Sequence, residues 1–318
     1  MFEHRQGSQL PTAPFLNGLT FLLNMGMFHP VMIKKSSIVV LHRIIVLFFL
    51  STLPVLSQSG KDNLISSAHA ADSLWKSMTM SVNPLEISFG GIVRTDKRKK
   101  EIHLVFTGHE FGDGGEIIRK TLRIHHASGS FFLTGDFYRN AAYDSLIRGL
   151  KKDGHYLGGH SNKHLLYCDW DKRDSLLVSR EEFLADLKAN YTAMESFGVM
   201  KGDAKYFLPP YEWYNEAVSN WAREFGVTLI NFTPGTYSNA DWTIPELGKQ
   251  YLTSDTIYSR ILVYEKNHAD GLNGFILLTH IGVDPKRTDK FYRRLDDLLT
   301  ELEKRGYKFT SLKEGIPQ

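Results

Sequence analysis

Two histidines four residues apart, His160 and His164 in Gly158-Gly159-His160-Ser161-Asn162-Lys163-His164, are a pair that can hold a metal ion. On a helical turn, positions i and i+4 share a face, so both imidazoles would converge on one ion. Alone, the pair reads more readily as two surface histidines. Its company argues for more. Upstream lies the polar loop Thr107-Gly108-His109-Glu110-Phe111-Gly112-Asp113-Gly114-Gly115, and downstream come Pro209-Pro210-Tyr211, Asp241-Trp242 and Leu278-Thr279-His280. Imidazoles and carboxylates in that number can supply ligands, a base and an acid for hydrolysis around an ion. Within the loop, His109 also reads as a loop histidine hydrogen-bonded to Glu110, and Asp113 as a turn residue. A zinc peptidase is disfavoured, because Ser161 stands where such an enzyme places glutamate.

The elements that must position these groups alternate along the chain. Short apolar strands are expected at 102–106, 130–133, 155–159, 206–208, 228–232, 274–278 and 307–309. Between them, 3.6-residue periodicity predicts helices over 116–125, 142–153, 179–197, 216–225, 254–266 and 291–304. Ser179 with Glu182 forms a capping box for the third of these, and Phe183, Leu187, Tyr191 and Met194 form its apolar stripe. Strand alternating with helix implies a parallel sheet with helices outside. The polar residues singled out above mostly follow strand ends, which gather at one face of a (β/α) barrel.

With 318 residues, 42% of them hydrophobic and 23% charged, the chain has material for one large α/β domain. A net charge of +3 gives no case for nucleic acid, and Lys97-Arg98-Lys99-Lys100 reads as a solvated turn. The single cysteine, Cys168, excludes a disulfide framework and reads as packing beside Tyr167 and Trp170. Met32-Ile33-Lys34-Lys35 followed by apolar residues 38–41 and 44–56 has the order of a secretory leader. Translation from Met27 or Met32 would make it one; an uncleaved anchor is the other reading. The expected division is residues 1–59 as extension plus signal peptide or anchor, 60–94 as a mature extension and 95–318 as the catalytic domain. That order places the domain outside the cytoplasm, secreted, periplasmic or in the cell envelope, with no stable transmembrane domain after processing.

From Glu101 to Leu312 the motifs resemble the polysaccharide deacetylases, the NodB-homology domain of carbohydrate esterase family 4. His160-Ser161-Asn162-Lys163-His164 resembles the family's His-[Ser/Thr]-x-x-His, Leu208-Pro209-Pro210-Tyr211 its Arg-x-Pro-Tyr, Asp241-Trp242 its Asp-Trp, and Leu278-Thr279-His280 its Leu-x-His. Phe131-Phe132-Leu133-Thr134-Gly135 is similar to its second strand. The first motif, Thr-Phe-Asp-Asp-Gly, departs. Matching it to Glu110-Phe111-Gly112-Asp113-Gly114 keeps Asp113 as a ligand. Matching it to Val105-Phe106-Thr107-Gly108-His109 fits the spacing without a gap but loses both aspartates. Leu208 replaces the arginine that pairs with the base aspartate, and losing both charges together is what burial would demand.

The resemblance implies a distorted (β/α) barrel and a divalent ion, zinc foremost, held by Asp113, His160 and His164. It implies His280 as general acid oriented by Asp241, an oxyanion donor at the Tyr211 N–H, Trp242 as a wall and Leu278 as the shape of the acetyl pocket. The missing base leaves Glu110, His109, or His280 in a double role. The activity implied is hydrolysis of N- or O-acetyl groups on a polysaccharide or oligosaccharide, with no nucleic-acid partner. A carbohydrate-binding pseudoenzyme and a metal-dependent amidohydrolase on small amides are the alternatives.

Overall fold

The computed structural model describes residues 84–316; the leader-like run, the candidate starts and the candidate cleavage sites lie outside them. Among the described residues, no helix is long and apolar enough to cross a membrane.

A hairpin of β1 (Glu86–Ser88) and β2 (Gly91–Arg94) opens the described chain, and β2 lies antiparallel to β8 (Phe275–His280). The rest is parallel. β8 pairs with β3 (Glu101–Gly108), and β3 pairs with β4 (Ser130–Leu133) along its second half and with β9 (Lys308–Thr310) along its first. The order continues through β5 (Tyr156–Gly159), β6 (Tyr206–Phe207) and β7 (Thr228–Leu229). Just past β7, Ile230 bridges back to Ile92 of β2, and the Asn231 N–H donates to the Ile92 carbonyl at 2.7 Å. That contact curls the sheet into the expected distorted barrel.

Strand alternation sorts the core into two layers. Val105, Phe132, Tyr156, Leu208, Ile276 and Leu278 fill the barrel interior, while Leu104, Phe106, Phe131, Leu133 and Leu277 face the helices. Because both faces are buried, these strands read as nearly continuous apolar runs.

The helices are α1 (Gly115–Ile124), α2 (Gly135–Arg139), α3 (Asp144–Lys152), α4 (Arg180–Glu195), α5 (Glu216–Phe225), α6 (Ser254–Asn267), α7 (Leu295–Lys304) and α8 (Leu312–Gly315). The capping box at Ser179 is present, and Phe183, Leu187, Tyr191 and Met194 are all buried. Gly226 ends α5 in the left-handed region at φ 92°, where glycine carries no steric penalty. Cys168 is buried, and burial pushes its thiol up to about 11, far from a reactive thiolate.

One local expectation is corrected. His160 to His164 is not a helical turn: Ser161 and His164 sit at φ 68° and 56°, so the i,i+4 spacing does not place the rings on a helix face. Long-range hydrogen bonds from α4 set this loop instead.

Candidate active site

His160 follows β5 directly, and two bonds fix it. Its N–H donates to Asn190 Oδ1 at 2.8 Å, and its Nδ1 lies 2.8 Å from the Leu208 carbonyl. A carbonyl only accepts, so Nδ1 carries the proton and Nε2 keeps its lone pair, the tautomer a metal ligand needs. Asp186 of α4 shapes the rest of the loop. Its carboxylate accepts from Ser161 Oγ at 2.7 Å, Asn162 N at 2.8 Å and Lys163 N at 3.0 Å. Those bonds hold the two left-handed residues and turn His164 back toward His160.

The rings of His160 and His164 lie 5.1 Å apart at 66°, and His109, just past β3, stacks on His164 at 4.6 Å and 6°. Tyr211 closes edge-on against His164 at 4.5 Å. Burial, with the neighbouring imidazoles adding to it, pushes His160 down to about 3 and His164 to about 2. Both are therefore neutral at physiological pH. His280 is the opposite case. Burial disfavours its charge, but Asp241 outweighs burial and raises it above the usual histidine range. Asp241 Oδ1 lies 2.6 Å from His280 Nδ1, while Oδ2 accepts the His280 N–H at 2.9 Å.

Three imidazoles, one with its tautomer fixed and two held neutral, make a donor set suited to a divalent ion. Their present arrangement is not yet a closed set. Among the described residues, no three His, Cys, Asp or Glu side chains are grouped so as to hold an ion. The parallel stack explains this: lone pairs in two parallel ring planes do not meet, so His109 or His164 must turn for all three to share an ion. Thr107 Oγ1, buried beside His280 across the β3–β8 pairing, has no hydrogen-bond partner among the described residues. An unpartnered buried hydroxyl at this place leaves room for a further polar group.

The expected third ligand, Asp113, is engaged by other partners in this structure. Its Oδ2 accepts from Tyr292 Oη at 2.7 Å and pairs with Lys290 Nζ at 3.2 Å, and its Oδ1 accepts from Val283 N at 3.0 Å. Burial alone would raise it, but these donors hold it below the usual carboxylate value. It is not drawn to the histidines. A cavity of about 820 Å³ opens beside it, lined in part by Phe111, Tyr143, Thr288 and Arg293.

Both registers of the first motif bear on the end of β3 and the loop after it. β3 runs unbroken to Gly108, pairing Thr107 with His280 and Gly108 with Leu133. Thr107 shares the inner face with Val105, and Leu208 fills the same interior. A Cβ at Gly108 would come within 2.7 Å of the Ile281 side chain, so that position has no room for a carboxylate without a shift. In the ungapped match, Thr107, Gly108 and Leu208 put uncharged residues where the family has two aspartates and an arginine.

The remaining expected residues fall as follows. Glu110 is exposed, its Oε1 4.0 Å from His109 Nε2. Tyr211 and Trp242 are each 44% exposed, whereas Leu278 is fully buried beneath His280 in the interior layer and cannot line a pocket surface as it stands. Trp213 stacks on Arg173 and Tyr214 is buried, so both are packing. Sequence reasoning missed Asp186, Asn190 and Glu212. The first two carried a signal, since they lie at helical spacing within the buried stripe of α4. Glu212 carried none: what marks it is a left-handed backbone at φ 54°.

The polysaccharide deacetylase family model matches residues 95–230. An uncharacterized 30.6 kDa protein of Geobacillus stearothermophilus is 26% identical over 74% of this chain and 77% of its own. The peptidoglycan-N-acetylmuramic acid deacetylase PdaA of Bacillus subtilis is 25% identical over 73% and 77%. Its solved structure superposes with a TM-score of 0.55 at 20% identity, covering 71% of this chain and 85% of that one. A wild-type CE4-family pseudoenzyme of Bacillus anthracis superposes at 0.56 with 21% identity, covering 72% and 69%.

Proposed function

The chain belongs to the polysaccharide deacetylase family, and from that premise we propose that it is a metal-dependent hydrolase removing acetyl groups from a cell-envelope glycan. One observation carries the reading: two neutral imidazoles of ligand type, one buried and one half-buried, share a strand-end face with a third imidazole paired to a carboxylate. A binding module needs neither the tautomer control on His160 nor the carboxylate that raises the proton affinity of His280.

His160 and His164 would hold the ion, with His109 the third imidazole in reach. When bound, the ion supplies Lewis acidity and an acidified water. The Tyr211 N–H is the donor for the developing oxyanion. His280 gives its Nε2 proton to the departing sugar nitrogen or oxygen, while Asp241 holds the ring from Nδ1. Glu110, or His109 where it does not hold the ion, takes the proton of the attacking water. Exposed Tyr211 and Trp242 offer flat surfaces for a sugar ring, and the cavity beside Asp113 suits a neighbouring unit. A peptidoglycan-type substrate agrees with the leader-like run before the domain and with what PdaA is named for.

Acetate release from a panel of N- and O-acetylated glycans by purified protein tests this. Release should stop with chelator and return with Zn²⁺. Metal and glycan binding with no release from any substrate would instead favour a pseudoenzyme, a reading that the uncharged Thr107 and Leu208 keep open.

A further inference from the structure

Arg287 is the largest fully buried side chain among the described residues, and its guanidinium meets the Asp289 carboxylate only at 3.7 Å. A buried charge is tolerated where hydrogen bonds replace its water. Here neutral oxygens fill the planar fork. Nε donates to the Asp289 carbonyl at 2.6 Å, and Nη1 to the Thr243 carbonyl at 2.6 Å and Thr243 Oγ1 at 3.4 Å. Nη2 donates to the Leu252 carbonyl at 3.0 Å and Ser254 Oγ at 3.3 Å. A lysine ammonium, with three donors on a flexible stem, cannot serve all of these acceptors.

Those acceptors stand at the two ends of one excursion. Thr243 caps the 3-10 turn Ser238–Trp242, which carries Asp241 and Trp242, while Leu252 and Ser254 lead into α6. Between the two ends, exposed and half-buried residues form a second 3-10 turn, Pro245–Gln250, with Gly248 in the left-handed region at φ 57°. Thr243 Oγ1 accepts from the Leu252 N–H at 3.2 Å, so the neck is tied twice. Thr243 also reaches back: its N–H and its hydroxyl both donate to the Ala240 carbonyl, at 3.0 Å and 2.7 Å. From that same turn, Asp241 makes its two bonds to His280. Arg287 itself belongs to the segment after β8, the strand that ends in His280.

We propose that Arg287 is a positioning residue for Asp241: it closes the neck of the 243–252 loop and so fixes the turn from which Asp241 holds His280. The inference rests on the hydrolase reading for its catalytic consequence, though not for its structural test. Without the guanidinium the neck is left to the Leu252–Thr243 bond, and the turn is free to swing with the loop. Asp241 then loses its aim at both the ring and the backbone of His280.

Amide hydrogen exchange of the full chain reads this directly. The His280 N–H donates to Asp241 Oδ2, whereas the next amide, Ile281, donates to the Thr107 carbonyl of β3 at 2.9 Å. In the wild-type chain the His280, Thr243 and Leu252 amides should open together, at a lower free energy than Ile281. Arg287→Lys should speed exchange at His280 by about tenfold or more and leave Ile281 unchanged, and Thr243→Val, which loosens the neck from its other side, should do the same. A folded variant that exchanges His280 as slowly as the wild type overturns the proposal. So does a wild-type His280 that opens with Ile281 rather than with Thr243 and Leu252, a comparison that decides the case even if neither variant folds. Kinetics supplies a second readout: Arg287→Lys should lower kcat by roughly 10–100-fold with KM changed less. In an Asp241→Asn background it should add little, and effects that simply add would assign Arg287 to stability alone and overturn the role. A chain that releases no acetate refutes the hydrolase reading, and the exchange pattern still decides this one.

Discussion

His160 and His280 lie on one face of the barrel with pKa values shifted in opposite directions, and a single backbone or side-chain acceptor distinguishes them. A carbonyl at Nδ1 fixes the tautomer of His160 without favouring a second proton, so burial wins and the ring stays neutral. A carboxylate at Nδ1 of His280 makes the imidazolium the better-solvated form. Asp241→Asn should therefore abolish the raised His280 value and lower kcat by roughly 10²-fold or more, steepest at alkaline pH. The asparagine keeps an oxygen for the His280 N–H, so an unchanged melting temperature with full activity would refute the role. His280 and Asp241 were legible because residue type and strand-end address coincided. Asp113 was not, because its partners Tyr292 and Lys290 come from a distant segment and no local pattern announces them. Leu208 shows a subtler limit. Its side chain is interchangeable core, yet its carbonyl sets the tautomer of His160.

At the level of elements, α4 is the brace of the histidine loop. Its capping box and apolar stripe were readable, but nothing local shows which loop the polar residues inside that stripe would bind. In the folded chain Asp186 is 8% exposed and accepts three hydrogen bonds from the loop, while Asn190 ties His160 to the Leu133 carbonyl at the end of β4. Asp186→Ala would leave those loop donors without acceptors, and the loop would relax from its left-handed residues. The expected cost is about 2–3 kcal/mol of stability. Because Asp186 touches no expected ligand atom, an accompanying loss of Zn²⁺ affinity of roughly 10–100-fold, read by calorimetry, would report orientation alone. Equal affinity in a folded variant would show that the ligands are held by something else. The same logic explains why helix spacing misread the His pair: tertiary bonds, not local periodicity, aim these rings.

Over the whole molecule, a second buried histidine network ties β3 to β9 and to the residue just past β2. His103, in the first half of β3, lies with its Nε2 2.7 Å from Thr95 Oγ1 just past β2, and its Nδ1 3.0 Å from Thr310 Oγ1 of β9. It is fully buried, and a Cβ on Gly315 would fall 2.0 Å from its ring, so α8 packs hard against it. Burial pushes His103 down to about 4. The unfolded chain, with an ordinary histidine value near 6.5, binds the proton that the folded chain refuses. Stability from this group is therefore complete above about pH 6.5 and declines as pH falls toward 4. By pH 5 the loss from His103 alone is about 2 kcal/mol. His155, also lowered by burial, adds with the same sign, whereas His125, raised by Asp296 and Glu303 against its burial, opposes it. Carboxylates such as Asp136 and Asp153 are held below their usual values and titrate at lower pH, outside this window. Denaturant unfolding of the chelated protein between pH 7.5 and 5 should thus show falling stability, and His103→Gln, whatever its effect at neutral pH, should flatten the slope. An identical slope in the variant would mean that the acid sensitivity of the barrel comes from the site histidines instead.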